Sequence, residues 1–332
     1  MLTGWYPRFE KGRGITNVEK ADHLALGVSE GVIPGDSTSL ISLNSTYADF
    51  VDRTFSMKGF APTLVAGVLS VFFVVTAICA IASILPANPS MAEFFAAIFL
   101  LSITSGLVYF FWNLVLRHDF FSYRYYPVRF NRLTRKVHIF RSNLSGGEVI
   151  VPWGSDALFF HVGRGSQNSV LRDLRCHILD KNGIIIETFT VGIFHDDPGR
   201  VRERWEFIKR YMEWGAQRAV SHDADKVITL SVRNTLVNAY RWTCFLLGKS
   251  LFPFRYFFFP LYWTLALTRW VVMLTCAVPR FSSATEAESR FDPNDADRWD
   301  EPDYIDQFGG RPDVVARASE LYRERQQRKG KS

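Results

Sequence analysis

The sequence predicts a membrane protein of the α+β class: a transmembrane helical hairpin, a small antiparallel β-barrel-like domain with a C-terminal helix, and an apolar membrane-associated helical region. Three observations predict it. Residues 59–92 and 94–116 carry no charged side chain, with Glu93 the one interruption. Residues 120–220 show short runs of period-two alternation, split by turn residues and followed by a helical pattern. Lys and Arg crowd the flanks of the apolar block and are missing from its middle.

Composition narrows the partners. Hydrophobic residues make up 48% of the chain and aromatics 15%, with 29 Phe against 5 Met. Lys and Arg number 39 against 33 Asp and Glu, a net charge of +6. Such an excess suits nucleic acid or an anionic membrane face, and the charge-free blocks favour the membrane. The basic residues come with no recognition helix or stacking platform, so no nucleic-acid partner is expected. Cys79, Cys176, Cys244 and Cys276 fit neither a C-x-x-C redox motif nor a zinc knuckle, and they read as small hydrophobes. The first 30 residues carry Glu10, Lys11, Glu19 and Asp22 without an apolar core, so no cleavable signal peptide is expected.

The elements follow in order. Residues 1–58 are mixed in charge and rich in Gly, Ser and Thr, and they read as an extended or loosely folded cytoplasmic segment. The hairpin occupies 59–116, with helices at about 63–85 and 94–116, each long enough to cross a hydrocarbon core of about 30 Å. Pro86, Ala87, Asn88, Pro89 and Ser90 form the turn between them, because neither helix continues through the prolines. The turn has no Lys or Arg. Arg53 and Lys58 precede the first helix, and Arg117, Arg124, Arg129, Arg132, Arg135, Lys136 and Arg141 follow the second. Both flanks are therefore expected in the cytoplasm, and the short turn in the opposite compartment.

Residues 117–220 form the α+β domain. Strands are expected at 127–130, 137–141, 148–153, 157–162, 174–179 and 184–190. Turns are expected at 131–135, at Ser145-Gly146-Gly147 and at Lys181-Asn182-Gly183. Asp197 is placed as the N-cap and Pro198 as the first residue of a helix through Trp205, Ile208, Tyr211 and Met212.

Residues 221–281 form the membrane-associated helical region. They are apolar but carry Arg241, Lys249, Arg255 and Arg269 and are broken by Pro253 and Pro260. An Arg at the centre of a span costs about 2.5–3.5 kcal/mol, which argues for an interfacial or re-entrant helix, or one packed on the first pair. Arg255, Tyr262, Arg269 and Cys276 recur every seven residues as one partly polar stripe. Residues 282–332 read as a polar cytoplasmic tail, acidic over 286–306 and then helical and charged over 312–329.

Chemistry is sparse. His195-Asp196-Asp197 and His222-Asp223-Ala224-Asp225 read as helix-start turns rather than ligand sets. Gly163-Arg164-Gly165-Ser166 lacks phosphate-loop spacing, and 292–297 lacks the glycine and terminal glutamate of a calcium loop. No nucleophile–base set is visible, so no catalytic residue, metal or cofactor is assigned and the chain is expected not to be an enzyme. The basic run is the most suggestive feature. Arg124, Arg129, Arg132, Arg135 and Lys136 lie just beyond a membrane helix, where each basic residue near anionic lipid is worth about 1 kcal/mol.

Antiparallel strands closed by one helix resemble a pleckstrin-homology-like barrel, as in bacterial membrane proteins that carry such a domain after two transmembrane helices. The string Tyr126-Pro127-Val128-Arg129-Phe130-Asn131-Arg132, with Val137-His138-Ile139-Phe140-Arg141, Val151-Pro152-Trp153 and Ala277-Val278-Pro279-Arg280-Phe281, also resembles an uncharacterised family of proteobacterial membrane proteins. That family is often encoded beside type VI secretion effectors. The resemblance implies an immunity or accessory protein that binds a secreted effector or toxin. A membrane-anchored lipid- or protein-binding scaffold is the alternative, and a lipid-modifying enzyme ranks last.

Overall fold

A computed structural model of the chain describes residues 9–84, 90–141, 147–165, 170–306 and 312–329. The interhelical turn at 86–89, the Ser145-Gly146 part of the next turn, Ser166 and the side chain of Lys249 lie outside the described residues. The chain divides into two compact units, one of residues 1–56, 124–233 and 278–332 and the other of 57–123 and 234–277.

The first unit holds eight antiparallel strands among the described residues. Sheet order β1-β2-β3-β4-β5 joins Leu40–Leu43, Tyr47–Phe50, Val128–Asn131, Lys136–Phe140 and Glu148–Pro152. A second sheet, β6-β7-β8, joins Leu158–Arg164, Arg172–Leu179 and Ile185–His195. All six strands expected between 127 and 190 are present. The expected closed barrel is not: among the described residues no ladder joins the two sheets. Pro152 ends β5 without an N–H to donate, and Ser155 N bonds Pro152 O at 3.3 Å as the chain turns toward β6.

The helix Pro198–Trp214 packs on both sheets. Asp197 caps it as expected, its carboxylate accepting from Gly199 N at 3.0 Å. Val201, Trp205, Ile208 and Met212 are buried at helical spacing. Trp205 sits among Phe160 and Trp153, with ring centroids 4.5 and 5.8 Å away.

Residues 9–56 and the described parts of the tail, 282–306 and 312–329, are more ordered than the sequence suggested. β1 and β2 come from the N-terminal segment, and β2 pairs with β3 from Tyr47↔Asn131 to Phe50↔Val128. Their turn is set by Asn44, whose side chain accepts from Thr46 N and Tyr47 N at 2.9 Å. Upstream, Gly12 N and Arg13 O bond Ile185 on β8, whereas Leu24 N and Asp22 O bond Phe160 and Val162 on β6. Residues 12–24 thus run from one edge of the three-stranded sheet to the other and cover both edges. In the tail, Trp299 exchanges backbone bonds with Leu43, and the helix Pro312–Lys329 docks through Arg325 on Glu203 and Arg317 on Asp225. These segments belong to the α+β unit because it supplies their strand and ion-pair partners.

The second unit is helical. Ala61–Ile84 and Met91–Asp119 are long and apolar enough to cross a membrane. Ser90 caps the second in a capping box with Glu93. The later apolar region forms two shorter helices, Leu236–Leu251 and Phe259–Thr275, with Gly248 at φ 84° inside the first. Of the stripe predicted for Arg255, Tyr262, Arg269 and Cys276, the last three are buried, whereas Arg255 precedes the Phe259–Thr275 helix, is half-buried and lies over the Phe252 and Tyr256 rings. Arg269 donates to Lys58 O at 2.7 Å and lies 5.3 Å over the Trp242 ring. A Cβ on Gly59 would sit 2.6 Å from Arg269 Cα, so only glycine lets these backbones meet. Asp119 accepts from Gly59 N at 2.7 Å and from the Thr63 hydroxyl, binding the two ends of the hairpin together.

Candidate metal centre and the basic run

Two features of the α+β unit bear on function. The first is a cluster that sequence reasoning missed. The antiparallel register of β6 and β7 pairs Phe159 with His177 and His161 with Arg175, so the two histidines are diagonal neighbours on one face. Their rings stack with centroids 4.7 Å apart, and their Nε2 atoms lie 3.0 Å from each other. The helix Asn17–Ala21 crosses above them, begun by Thr16 in a capping box with Glu19. Glu19 Oε1 lies 3.1 Å from His177 Nε2. One ligand atom from each of Glu19, His161 and His177 falls within 4.8 Å of the others.

The surroundings fix their charge states. Burial lowers the His161 pKa to about 3, with His177 and Arg175 adding to the effect. Burial also lowers that of His177, against the pull of Glu19. For Glu19 burial works toward protonation, but the hydrogen bonds from Arg13 and Thr16 and the field of His177 prevail and hold it well below the usual carboxylate range. Two neutral imidazoles therefore face one carboxylate at neutral pH. Around them, Thr188 Oγ1 is 2.7 Å from His177 Nδ1, and Arg13 grips both Glu19 oxygens at 2.8 and 2.6 Å. His161 Nδ1 is buried with no hydrogen-bond partner.

No signal in the linear sequence joins these residues. His161 and His177 fall inside strands recognisable by alternation, but Glu19 comes from a five-residue helix whose place depends on edge pairing far along the chain.

The second feature is the basic run, which the fold disperses. Arg129 is buried, paired with Asp49 at 2.8 Å and stacked on Tyr47 and Phe281 at 4.0 and 4.6 Å. It is a core cation, not a lipid contact, because strand β3 turns its side chain inward. Arg135 donates to Met212 O and Glu213, and Lys136 pairs with Glu288 at 2.9 Å. Arg124 and Arg132 are half-buried. The five residues do not form one basic surface. His195 is half-buried against Arg204 at 2.9 Å, and Asp225 serves the ion pair with Arg317.

Fold and site together define a class: an α+β protein with open antiparallel sheets and two helices long and apolar enough to span a membrane. The chain belongs to a family of unknown function, DUF6708, whose model matches residues 105–293, more than half of its 332 residues. The match takes in β3 to β8 and both histidines of the cluster, and Glu19 lies before it. No curated protein and no solved structure matches the chain.

Proposed function

We propose that the chain is a two-span inner-membrane protein that holds its α+β unit in the cytoplasm and acts by binding. The carrying observation is the exposure of the two long helices, in each of which only 11% of an 18-residue apolar window is buried. Val71, Phe72, Ile78, Phe95 and Phe99 are more than half exposed, an arrangement stable in lipid and costly in water. The flanking Lys and Arg support cytoplasmic ends.

The binding role we favour is immunity or accessory work toward a type VI secretion effector. Its support is the resemblance carried by residues 126–132 and 137–141, together with a unit whose polar clusters are internally paired rather than arranged as a nucleophile and base. Co-expression with an effector encoded beside the gene should restore growth, and the two proteins should co-purify in detergent. Growth arrest without a complex would overturn this reading. The lipid-scaffold alternative is less favoured, since Arg129, Arg135 and Lys136 already have acidic partners within the chain.

A further inference from the structure

We propose that Glu19, His161 and His177 bind a divalent transition-metal ion of the zinc type, and that the ion clamps residues 12–24 onto the three-stranded sheet. The site uses Glu19 Oε1 and the two Nε2 atoms, and it stands independently of the binding role proposed above.

The geometry is close to a ligand set. Zinc bonded to nitrogen and oxygen at about 2.0–2.2 Å in a tetrahedron separates its ligand atoms by roughly 3.3–3.5 Å. The two measured edges are 3.0 and 3.1 Å, a few tenths of an ångström below that span, and all three ligand atoms lie within 4.8 Å of one another. Two imidazoles with one carboxylate select a borderline ion such as zinc over magnesium or calcium, which prefer oxygen.

Proton counting points the same way. The 3.0 Å contact between Nε2 atoms needs a shared proton or a cation between them. Held by a proton, it needs His177 as the donor, since Glu19 Oε1 lies 3.1 Å from the same nitrogen. His177 then serves two acceptors at once. A cation in place of the shared proton satisfies both Nε2 lone pairs and the carboxylate together. His177 Nδ1–H is then free to donate to Thr188 Oγ1 at 2.7 Å, the outer hydrogen bond that orients metal-bound imidazoles. Arg13 bonds both Glu19 oxygens, Oε2 at 2.8 Å and Oε1 at 2.6 Å, so the ion would share Oε1 with the guanidinium.

A purely structural reading treats the cluster as a hydrogen-bonded chain holding the crossing helix. It predicts no metal, which makes the two separable. The full-length protein, purified in detergent, stripped with a chelator and reloaded with excess zinc, should retain about one zinc per chain after desalting. Cobalt substitution should give the visible bands of a low-symmetry site. His161→Gln should abolish retention, the exposed His222→Ala should leave it intact, and Thr188→Val should weaken zinc binding about tenfold while all three ligands remain. Retention by the parent no greater than by His161→Gln, or cobalt without site-specific bands, overturns the proposal. The cobalt measurement needs no variant and decides the matter even where His161→Gln fails to fold.

Discussion

The two units spend their aromatic residues in opposite ways. In the α+β unit Trp205, Phe207, Phe50 and Phe130 are fully buried. In the helical unit Phe257 is 81% exposed, and Phe72, Phe95 and Phe99 are more than half exposed, whereas Arg269 and Asp119 are buried. Both units bury charged groups, but only the helical one leaves many large aromatic side chains exposed on long apolar helices. The contrast is the one expected if the helical unit sits in lipid, as proposed above, and the α+β unit in water.

The largest test of this contrast is Trp205→Ala. Removing the indole that Phe160 and Trp153 pack against should destabilise the α+β unit by about 4 kcal/mol, seen as loss of its thermal transition in detergent with the helical circular-dichroism signal of the other unit retained. Equal loss of both signals would show that the units unfold as one.

Next comes the buried ion pair of Arg53 and Asp173, 2.5 Å apart with side chains 1% and 0% exposed. Asp173→Ala leaves a buried guanidinium without this carboxylate and should cost about 3 kcal/mol or more in the same melt. A change below about 1 kcal/mol would mean that the pair is hydrated in solution.

Acidification acts more gently. Burial, with Arg204 and Arg200 beside it, holds the His195 pKa well below its ordinary 6.5. The unfolded chain therefore takes up a proton below about pH 6.5 that the folded one refuses, and stability falls as pH falls. Between pH 7.5 and 5.5 the loss should reach about 1.4 kcal/mol through this group. His195→Gln should flatten part of the dependence. A melting temperature that rises on acidification would contradict the neutral imidazole.

The smallest effect belongs to the outward face of the helical unit. Phe257→Ala should shift the melting of the α+β unit by less than about 0.5 kcal/mol, because the ring is 81% exposed and belongs to the helical unit.

Legibility in the sequence followed range. Strands β3 to β8 were visible because period-two alternation and turn residues are local, as with Val137, Ile139 and the Gly183 turn at φ 75°. The Pro198–Trp214 helix was marked by Asp197 and Pro198. β1 and β2 were not legible: each has four residues, and β2 finds its partner in β3 some 80 positions later, so no local pattern outweighs the polar composition around it. The same distance hid the cluster, whose Glu19 and His177 are 158 residues apart. The basic run misled for the opposite reason, since proximity in sequence suggested a surface that strand alternation at Arg129 and the pairs at Arg135 and Lys136 take apart.

The central claim, two solvents for two units, is tested most directly by accessibility. In a Cys79→Ser background, in which the remaining cysteines 176, 244 and 276 are buried, single labels are introduced as Ser90→Cys, Asp156→Cys and Asn294→Cys. An impermeant maleimide applied to intact inner-membrane spheroplasts should label Ser90→Cys at once, and should label Asp156→Cys and Asn294→Cys only after permeabilisation. Labelling of Asp156→Cys in sealed spheroplasts, or protection of Ser90→Cys, would contradict the account.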